Sequence, residues 1–284
     1  SMAVAGGYGV GKTSFLHKCK TIAEEQNALA IYFSLNEINE LSRESLAKVL
    51  IERIQEKVRE EVILNRLSSS VIKILERIKI KTGETEFSLS HSEESKFPNL
   101  QAALTAAWKA LGKTKTSIVF LIDEARVLEK NRAELILYLR AVLEQLQIEK
   151  TPVMIVPAGK LSITGPSGTG FSPLVRTFPP ALLENFTKSE SNSFIEKKLG
   201  LLKISVTGDA FEKAFTTTEG HPFVLTAYLE KAFDKLQAGE RELALTHFKA
   251  ADVEFVPRTL APFFSRFYDQ AGAASKLILE KIAA

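Results

Sequence analysis

Short, unbroken apolar runs alternate with segments of helical periodicity along the first half of the chain. Such runs are typical of strands that are buried on both faces of a parallel sheet. Four of them stand out, namely Met2–Ala5, Ala30–Phe33, Ile118–Ile122 and Val153–Val156. Because helical segments separate the runs, the pattern predicts an α/β fold built on a parallel sheet.

The region between the second and third runs predicts additional elements. Apolar residues recur at intervals of four from Leu46 to Val62, after Ser42 as N-cap, which predicts a long amphipathic helix. Alternation of polar and apolar residues predicts a hairpin over Lys79–Ser90. A further helix is expected over Leu100–Leu111. Its Trp108 is expected to pack in the core, because large apolar residues at helical spacing usually do.

Gly, Pro, Ser and Thr dominate the chain from Val156 to Pro180, which indicates a domain boundary. Beyond it the periodicity is helical, and Thr187 and Glu190 have the spacing of a capping box. Further helices are expected around Phe211–Phe215 and Phe223–Leu236. We therefore expect an α/β core over residues 1–180, with a helical and hairpin insertion at about residues 37–100, a helical domain over residues 181–255, and a linker over residues 256–284.

Composition narrows the class of protein. The 284 residues are 45% hydrophobic and 25% charged, which suits one large domain and one smaller one. Lysine and arginine (37) nearly match aspartate and glutamate (34), so net charge gives no argument for a nucleic-acid partner. The single cysteine, Cys19, excludes an internal disulfide, and no apolar run reaches the roughly 18 residues that span a bilayer. A cytoplasmic protein without a membrane span is expected.

A glycine-rich segment follows the first apolar run and precedes a helical pattern. Gly6-Gly7-Tyr8-Gly9-Val10-Gly11-Lys12-Thr13 satisfies G-x-x-x-x-G-K-[ST], the Walker A phosphate loop. The glycines let successive N–H groups and the helix N-terminus face phosphates, and Lys12 is expected to reach the β- and γ-phosphates. Thr13 supplies a hydroxyl to Mg²⁺. We therefore expect ATP/ADP with Mg²⁺ to bind at residues Gly6, Gly7, Tyr8, Gly9, Val10, Gly11, Lys12, Thr13 and Ser14.

The third apolar run ends in two carboxylates, Asp123 and Glu124. Ligands of parallel α/β sheets lie at the carboxyl ends of the strands, which places this pair beside the phosphate loop. We expect Asp123 to hold Mg²⁺ through its waters and Glu124 to polarise an attacking water. The alternative is a strand-to-helix turn with acidic caps.

These two motifs resemble those of the AAA+ ATPases and their STAND relatives, which act as signalling switches. The resemblance implies a three-layer P-loop NTPase core of the ASCE/AAA+ type, a small all-helical lid domain, ATP between the two, and a conformational change on hydrolysis. Gly220-His221-Pro222 is similar to the G-x-P motif in the lid of STAND, archaeal-type and origin-initiator-like ATPases, which implies that Pro222 lies near the nucleotide base. Its alternative is a helix start with proline in the first turn.

The same resemblance assigns further residues. An arginine finger often follows the fourth strand, and Arg176 stands at a comparable place. It would come from a neighbouring copy of a homo-oligomer; its alternative is a solvated surface arginine. The polar sensor after the fourth strand is represented by Lys160 or Ser162. The segment Gly165–Ser172 copies a phosphate loop with Phe171 in place of lysine, so we interpret it as a loop. The four histidines show no metal-ligand spacing and are assigned no catalytic role.

The segment after Pro257 ends in an apolar helix and is similar to the start of the winged helix of related initiators. In that case a module that contacts DNA or a protein partner would follow residue 284; the alternative is an ordinary packing helix. The hypothesis that follows is an ATP-hydrolysing switch that couples nucleotide state to lid movement and partner engagement. Its rival is a scaffold for DNA or protein that holds nucleotide without hydrolysing it. A GTPase is disfavoured by the lack of an N-K-x-D motif.

Overall fold

A computed structural model of the chain describes residues 1–37, 41–64, 100–111, 114–130, 133–161 and 173–255, with residues 258, 261, 262, 265 and 276. The chain divides into two compact units, Ser1–Leu183 and Glu184–Ala284. Several predicted features lie outside the described residues: the hairpin over Lys79–Ser90, the candidate sensor Ser162, the loop Gly165–Ser172 and most of the segment after Pro257.

The described part of the first unit contains a five-stranded parallel sheet, which confirms the predicted α/β fold. The strands are β1 Ala3–Gly6, β2 Leu29–Ser34, β3 Ile118–Asp123, β4 Val153–Gly159 and β5 Pro180–Leu183. Their order across the sheet is β2-β3-β4-β1-β5. The carboxyl end of β1, where the phosphate loop starts, therefore lies between the ends of β4 and β5.

The fifth strand was not among the four predicted from the sequence. It pairs with β1 over its full length, from Ala3 with Pro180 to Gly6 with Leu183. The strand is four residues long, it begins at a proline, and Leu182 is 53% exposed. It therefore lacks the unbroken apolar run that marks a strand buried on both faces.

Helices cover both faces of the sheet. The described helices of the first unit are α1 Lys12–Glu25, α2 Arg43–Ile63, α3 Leu100–Leu111, α4 Arg126–Lys130, α5 Ala133–Ile148 and α6 Pro173–Thr177. A large core cluster joins one face of the strands to α2, α3 and α5, with Trp108 packed against it as predicted. A smaller cluster joins the other face to Leu16 of α1. Ser42 caps α2, as predicted, by accepting from the Ser45 N–H.

The second unit is mainly helical and has its own core. Its described elements are α7 Lys188–Gly200, β6 Ser205–Val206, α8 Gly208–Thr218, α9 Pro222–Phe233, β7 Glu242–Leu243 and α10 Leu245–Phe255. Thr187 and Glu190 form the predicted capping box at the start of α7. Tyr228, Phe248 and Phe255 are fully buried at the centre of this unit. Among the described residues of the chain, no helix combines the length and the apolar character needed to cross a bilayer.

Candidate functional site

The phosphate loop connects β1 to α1. Gly9 and Gly11 have φ values of 73° and 94°, in the left-handed region that favours glycine, so the chain curls tightly before the helix. Gly11 is the N-cap of α1. Because glycine has no side chain, it cannot accept a hydrogen bond from the N–H groups of the first turn. No acidic residue lies in that turn. The local chemistry therefore suits an anion at the helix N-terminus.

The Lys12 ammonium lies over the loop. Its Nζ donates to the Gly6 carbonyl at 3.1 Å and to the Gly7 carbonyl. Partial burial lowers the pKa of Lys12 below its ordinary value, the carboxylates of Glu124 and Asp123 act in the opposite direction, and the charge of Lys160 adds to the lowering. These four charges are thus close enough to influence one another in one small region.

The Tyr8 ring of the phosphate loop has two lysine ammonium groups near it. The Nζ of Lys12 is 5.9 Å from the centroid of the Tyr8 ring, and the Nζ of Lys160 is 5.6 Å from it. Both distances are in the range of a cation–π interaction. Lys160 directly follows β4, so the structure places this residue, which the sequence offered as a sensor, beside the phosphate loop.

The Asp123 carboxylate accepts three hydrogen bonds within the site. The residue as a whole is only 5% exposed. Thr13 Oγ1 donates to Oδ2 at 2.7 Å, Tyr32 donates its hydroxyl to the same oxygen at 3.1 Å, and the Glu124 N–H donates to Oδ1 at 2.8 Å. The structure thus brings together Thr13 and Asp123, which lie 110 positions apart in the sequence.

Glu124 occupies a tight turn after β3. Its φ is 52°, in the left-handed region, and its side chain is partly buried. The next residue, Ala125, donates its N–H to the carbonyl of Ala158 in β4 at 2.8 Å. Gly159 allows this close approach, because a Cβ there would lie 3.1 Å from the Arg126 nitrogen and 3.2 Å from the Ala125 nitrogen. The turn that carries Glu124 is therefore packed backbone to backbone against the end of β4.

The oxygen donors of this site fit Mg²⁺. Thr13 and Asp123 offer a hydroxyl and a carboxylate, which are hard oxygen ligands. Among the described residues, no cluster of three or more His, Cys, Asp or Glu side chains could hold a metal by itself. A site with so few protein ligands suits Mg²⁺, which keeps several waters and takes the rest of its ligands from phosphate groups.

Two further predicted site residues, Arg176 and Pro222, belong to other elements of the chain. Arg176 is exposed on the short helix α6, whose Leu174 is buried in the core. Pro222 is in the second unit, at the first turn of α9, as the helix-start alternative predicted. Gly220 has a φ of 68°, and a Cβ there would lie 2.0 Å from the Phe186 carbonyl oxygen. The glycine of this motif is thus required by packing within the second unit.

Sequence reasoning missed two residues next to the predicted site. Tyr32 of β2 donates to Asp123, and the ring of His17 from α1 lies against the Tyr32 ring, with centroids 4.4 Å apart. The available signals were the position of Tyr32 within an apolar run and the four-residue spacing from Thr13 to His17. Neither signal gives the alignment of β2 with β3, in which Tyr32 pairs with Leu121.

Comparisons with known proteins agree with the P-loop fold. The model of the KAP family P-loop domain matches residues 1–156. No curated protein matches the chain. Among solved structures, the Walker-type ATPase of Pyrococcus abyssi is similar with a TM-score of 0.59 and 17% identity, over 95% of this chain and 70% of that one.

Two further similar structures have lower scores. The RuvB Holliday junction branch migration motor of Thermotoga maritima has a TM-score of 0.48 and 17% identity, over 88% of this chain and 60% of that one. The Orc1 protein of Aeropyrum pernix, solved in complex with DNA, has a TM-score of 0.47 and 13% identity, over 100% of this chain and 65% of that one. This chain thus spans about 60% of the length of the RuvB structure.

Proposed function

This chain belongs to the KAP family of P-loop domains, and from that premise we propose that it is an ATP-hydrolysing switch. The observation that carries the proposal is the position of Asp123 and Glu124 at the end of β3, with Asp123 hydrogen-bonded at 2.7 Å to the threonine of the phosphate loop. This pair gives the site an anchor for a cation and an acceptor for a proton. A phosphate loop without the pair would support binding alone.

Each site residue has a role in the proposed reaction. The N–H groups of the phosphate loop and the Lys12 ammonium bind the phosphates of ATP. Thr13 and Asp123 would hold Mg²⁺, which neutralises charge on the phosphates when it is bound. Glu124 accepts a proton from the attacking water, whose oxygen bonds to the γ-phosphorus while the bond from that phosphorus to the β,γ-bridging oxygen breaks. ADP and inorganic phosphate are the products.

Two basic residues are proposed to assist. Lys160 lies near the Tyr8 ring and supplies a second cation, besides Lys12, next to the phosphate loop. Arg176 is exposed on α6, so a neighbouring copy of the chain could receive it as an arginine finger. This role would require a homo-oligomer, as the resemblance to AAA+ ATPases implies.

The second unit is proposed to transmit the nucleotide state. The resemblance to STAND and archaeal-type ATPases implies a helical lid, with Pro222 near the nucleotide base, that moves on hydrolysis. A DNA or protein partner is proposed to respond to this movement. RuvB is described as a branch migration motor, and Orc1 was solved with DNA, which makes DNA a candidate partner for this chain.

Phosphate release tests the proposed hydrolysis. Replacing Glu124 with glutamine removes the proton acceptor and keeps the size of the side chain. We expect Glu124→Gln to lower the rate of phosphate release by at least about a hundredfold, as loss of a general base does. Nucleotide binding should persist in this variant. Glu144→Gln is the matched control, since Glu144 lies on the exposed side of α5 in an ion pair with Arg140.

The rival function, a nucleotide-bound scaffold, predicts a different result. Equal, near-zero rates in the unmodified chain and in Glu124→Gln, with nucleotide still bound, would refute the proposed hydrolysis and support the scaffold. The lack of a recognisable sensor pair in the sequence favours this rival, whereas Glu124 beside Asp123 argues against it. Measuring binding and phosphate release on the same preparations separates the two functions.

A further inference from the structure

Tyr32 belongs to the face of the sheet that is covered by α1. Along β2 its neighbours Ile31 and Phe33 are buried in the larger core, whereas Tyr32 packs against the smaller cluster together with Leu121 and Leu16. In the register of β2 with β3, Tyr32 pairs with Leu121, so Asp123 is its diagonal neighbour on the same face. A phenol side chain is long enough to reach this diagonal position, and the hydroxyl lies 3.1 Å from Asp123 Oδ2.

The hydrogen bond from Tyr32 approaches Asp123 from a different element than the bond from Thr13. Thr13 holds the carboxylate from the first turn of α1, and Tyr32 holds the same oxygen from the sheet. A hydroxyl has one hydrogen to donate and two lone pairs. Thr13 therefore keeps lone pairs for a cation while its hydrogen is directed to Asp123.

His17 supports Tyr32 from α1. It lies four positions after Thr13, so the two side chains are on the same face of the helix, one turn apart. The rings of His17 and Tyr32 are tilted by 34°, with centroids 4.4 Å apart, a contact that limits rotation of the phenol. Thr13, Asp123, Tyr32 and His17 thus form one contiguous group that connects α1, β2 and β3.

We propose that Tyr32 is a positioning residue of the Mg²⁺ site: its hydroxyl, backed by the His17 ring, fixes the orientation of the Asp123 carboxylate. This inference rests on the proposed function, because it assigns Asp123 to the cation. Residues that hydrogen-bond a ligand of a metal set its orientation, and their loss typically lowers metal affinity by about 10–100-fold. Tyr32 therefore contributes to the Mg²⁺ dependence of nucleotide binding and not to nucleotide binding in itself.

The experiment measures binding of a fluorescent ATP analogue to the full chain, once with Mg²⁺ and once with EDTA. The quantity of interest is the dissociation constant in EDTA divided by the dissociation constant in Mg²⁺. This ratio measures how much the cation strengthens nucleotide binding. We expect Tyr32→Phe to lower this ratio by about tenfold. The dissociation constant in EDTA should stay within about twofold of the original value, since the phosphate loop is unchanged.

Tyr138→Phe is the matched control, since it removes the same atom from a half-buried tyrosine that packs against the larger core. It should leave the ratio unchanged. If Tyr32→Phe fails to fold, His17→Ala replaces it as the test, because the His17 side chain is exposed. His17→Ala should lower the ratio in the same direction, and His17→Phe, which keeps an aromatic face, should restore it.

Two negative outcomes are distinguishable. An unmodified chain whose ratio is close to one would show that Mg²⁺ does not assist nucleotide binding, which overturns the proposed function and this inference with it. An unmodified chain with a high ratio, equalled by Tyr32→Phe, or by His17→Ala where Tyr32→Phe does not fold, would overturn the positioning role of Tyr32 alone. The proposed function would then stand.

Discussion

Single residues of the phosphate loop have different physical reasons for being glycine. Gly9 and Gly11 have positive φ values, so they provide curvature. Gly6 does not have a positive φ, and it is glycine because a side chain there would collide with neighbouring atoms. A Cβ at Gly6 would lie 2.6 Å from the Leu183 carbonyl oxygen of β5 and 2.8 Å from Val10 Cγ2. The first glycine of the motif therefore permits packing against a strand that the sequence pattern did not reveal.

Replacing Gly6 with alanine should damage the fold before it affects chemistry. The backbone of β5 would have to move, so we expect Gly6→Ala to lower the free energy of unfolding by about 1–3 kcal/mol, the usual cost of overpacking. Gly7→Ala is the matched control for stability, because the nearest atom to its Cβ would be Val10 Cγ1 at 3.9 Å. Chemical denaturation of both variants checks this. Equal losses of stability would contradict the packing argument.

At the scale of elements, the sequence predicted the strands and helix caps whose signals lie within a few neighbouring residues. Four strands have unbroken apolar runs, and the caps at Ser42 and Thr187 have their expected partners within three residues. Thr13 and Asp123 were identified because two motifs imply a shared ligand. β5 was missed because it is a short strand with alternating exposure that begins at a proline.

Tyr32 was missed for a different physical reason. Its role depends on a hydrogen bond to a residue 91 positions away, which exists only once β2 and β3 have aligned. Hydrophobic periodicity assigns Tyr32 to a strand, but it contains no information on which polar atom the hydroxyl reaches. The same limit applies to Lys160, whose contact with the Tyr8 ring joins β4 to the phosphate loop.

A buried ion pair connects α2 to the segment that precedes β3. The Nζ of Lys115 lies 2.7 Å from Glu61 Oε2, and the two side chains are 8% and 3% exposed. Lys57 is a further partner of Glu61, with its Nζ 3.7 Å from Oε1. The same lysine reaches Glu24 at the end of α1, at 3.6 Å. This group of charges thus connects two helices with the strand that carries Asp123.

Removing Lys115 should be costly because it leaves Glu61 buried with weaker compensation. We expect Lys115→Met to lower the free energy of unfolding by about 3 kcal/mol, the low end for breaking a buried pair, since Lys57 remains. The double replacement Glu61→Leu with Lys115→Met should recover most of this loss, because no unpaired carboxylate is then buried. Chemical denaturation of the single and double variants measures both effects.

An exposed pair of the same length provides the control. Arg140 and Glu144 are also 2.7 Å apart, but their side chains are 48% and 58% exposed. Arg140→Met should cost no more than about 0.5 kcal/mol, because water screens the lost attraction. A loss for Lys115→Met no larger than that for Arg140→Met would show that burial does not govern the strength of the Glu61 pair.

At the scale of the whole molecule, the family match covers only part of the first unit, whereas the structure describes residues of both units. The KAP match covers residues 1–156, which lie within the first unit. The second unit has a separate core around Tyr228, Phe248 and Phe255. Each unit therefore has its own apolar interior. Coupling to the second unit is a separate property that requires its own test.

Hydrogen exchange of the Glu124→Gln variant, with and without ATP and Mg²⁺, tests this coupling. Because that variant should bind without turnover, nucleotide should slow exchange in Gly6–Ser14 and at the start of α1. If the second unit acts as the proposed lid, protection should also appear around Gly220–Phe223, because a segment that contacts the ligand opens less often. Replacing Lys12 with alanine should remove protection from both segments, since it weakens binding of the phosphates. Protection confined to the first unit would refute the lid and leave nucleotide binding intact.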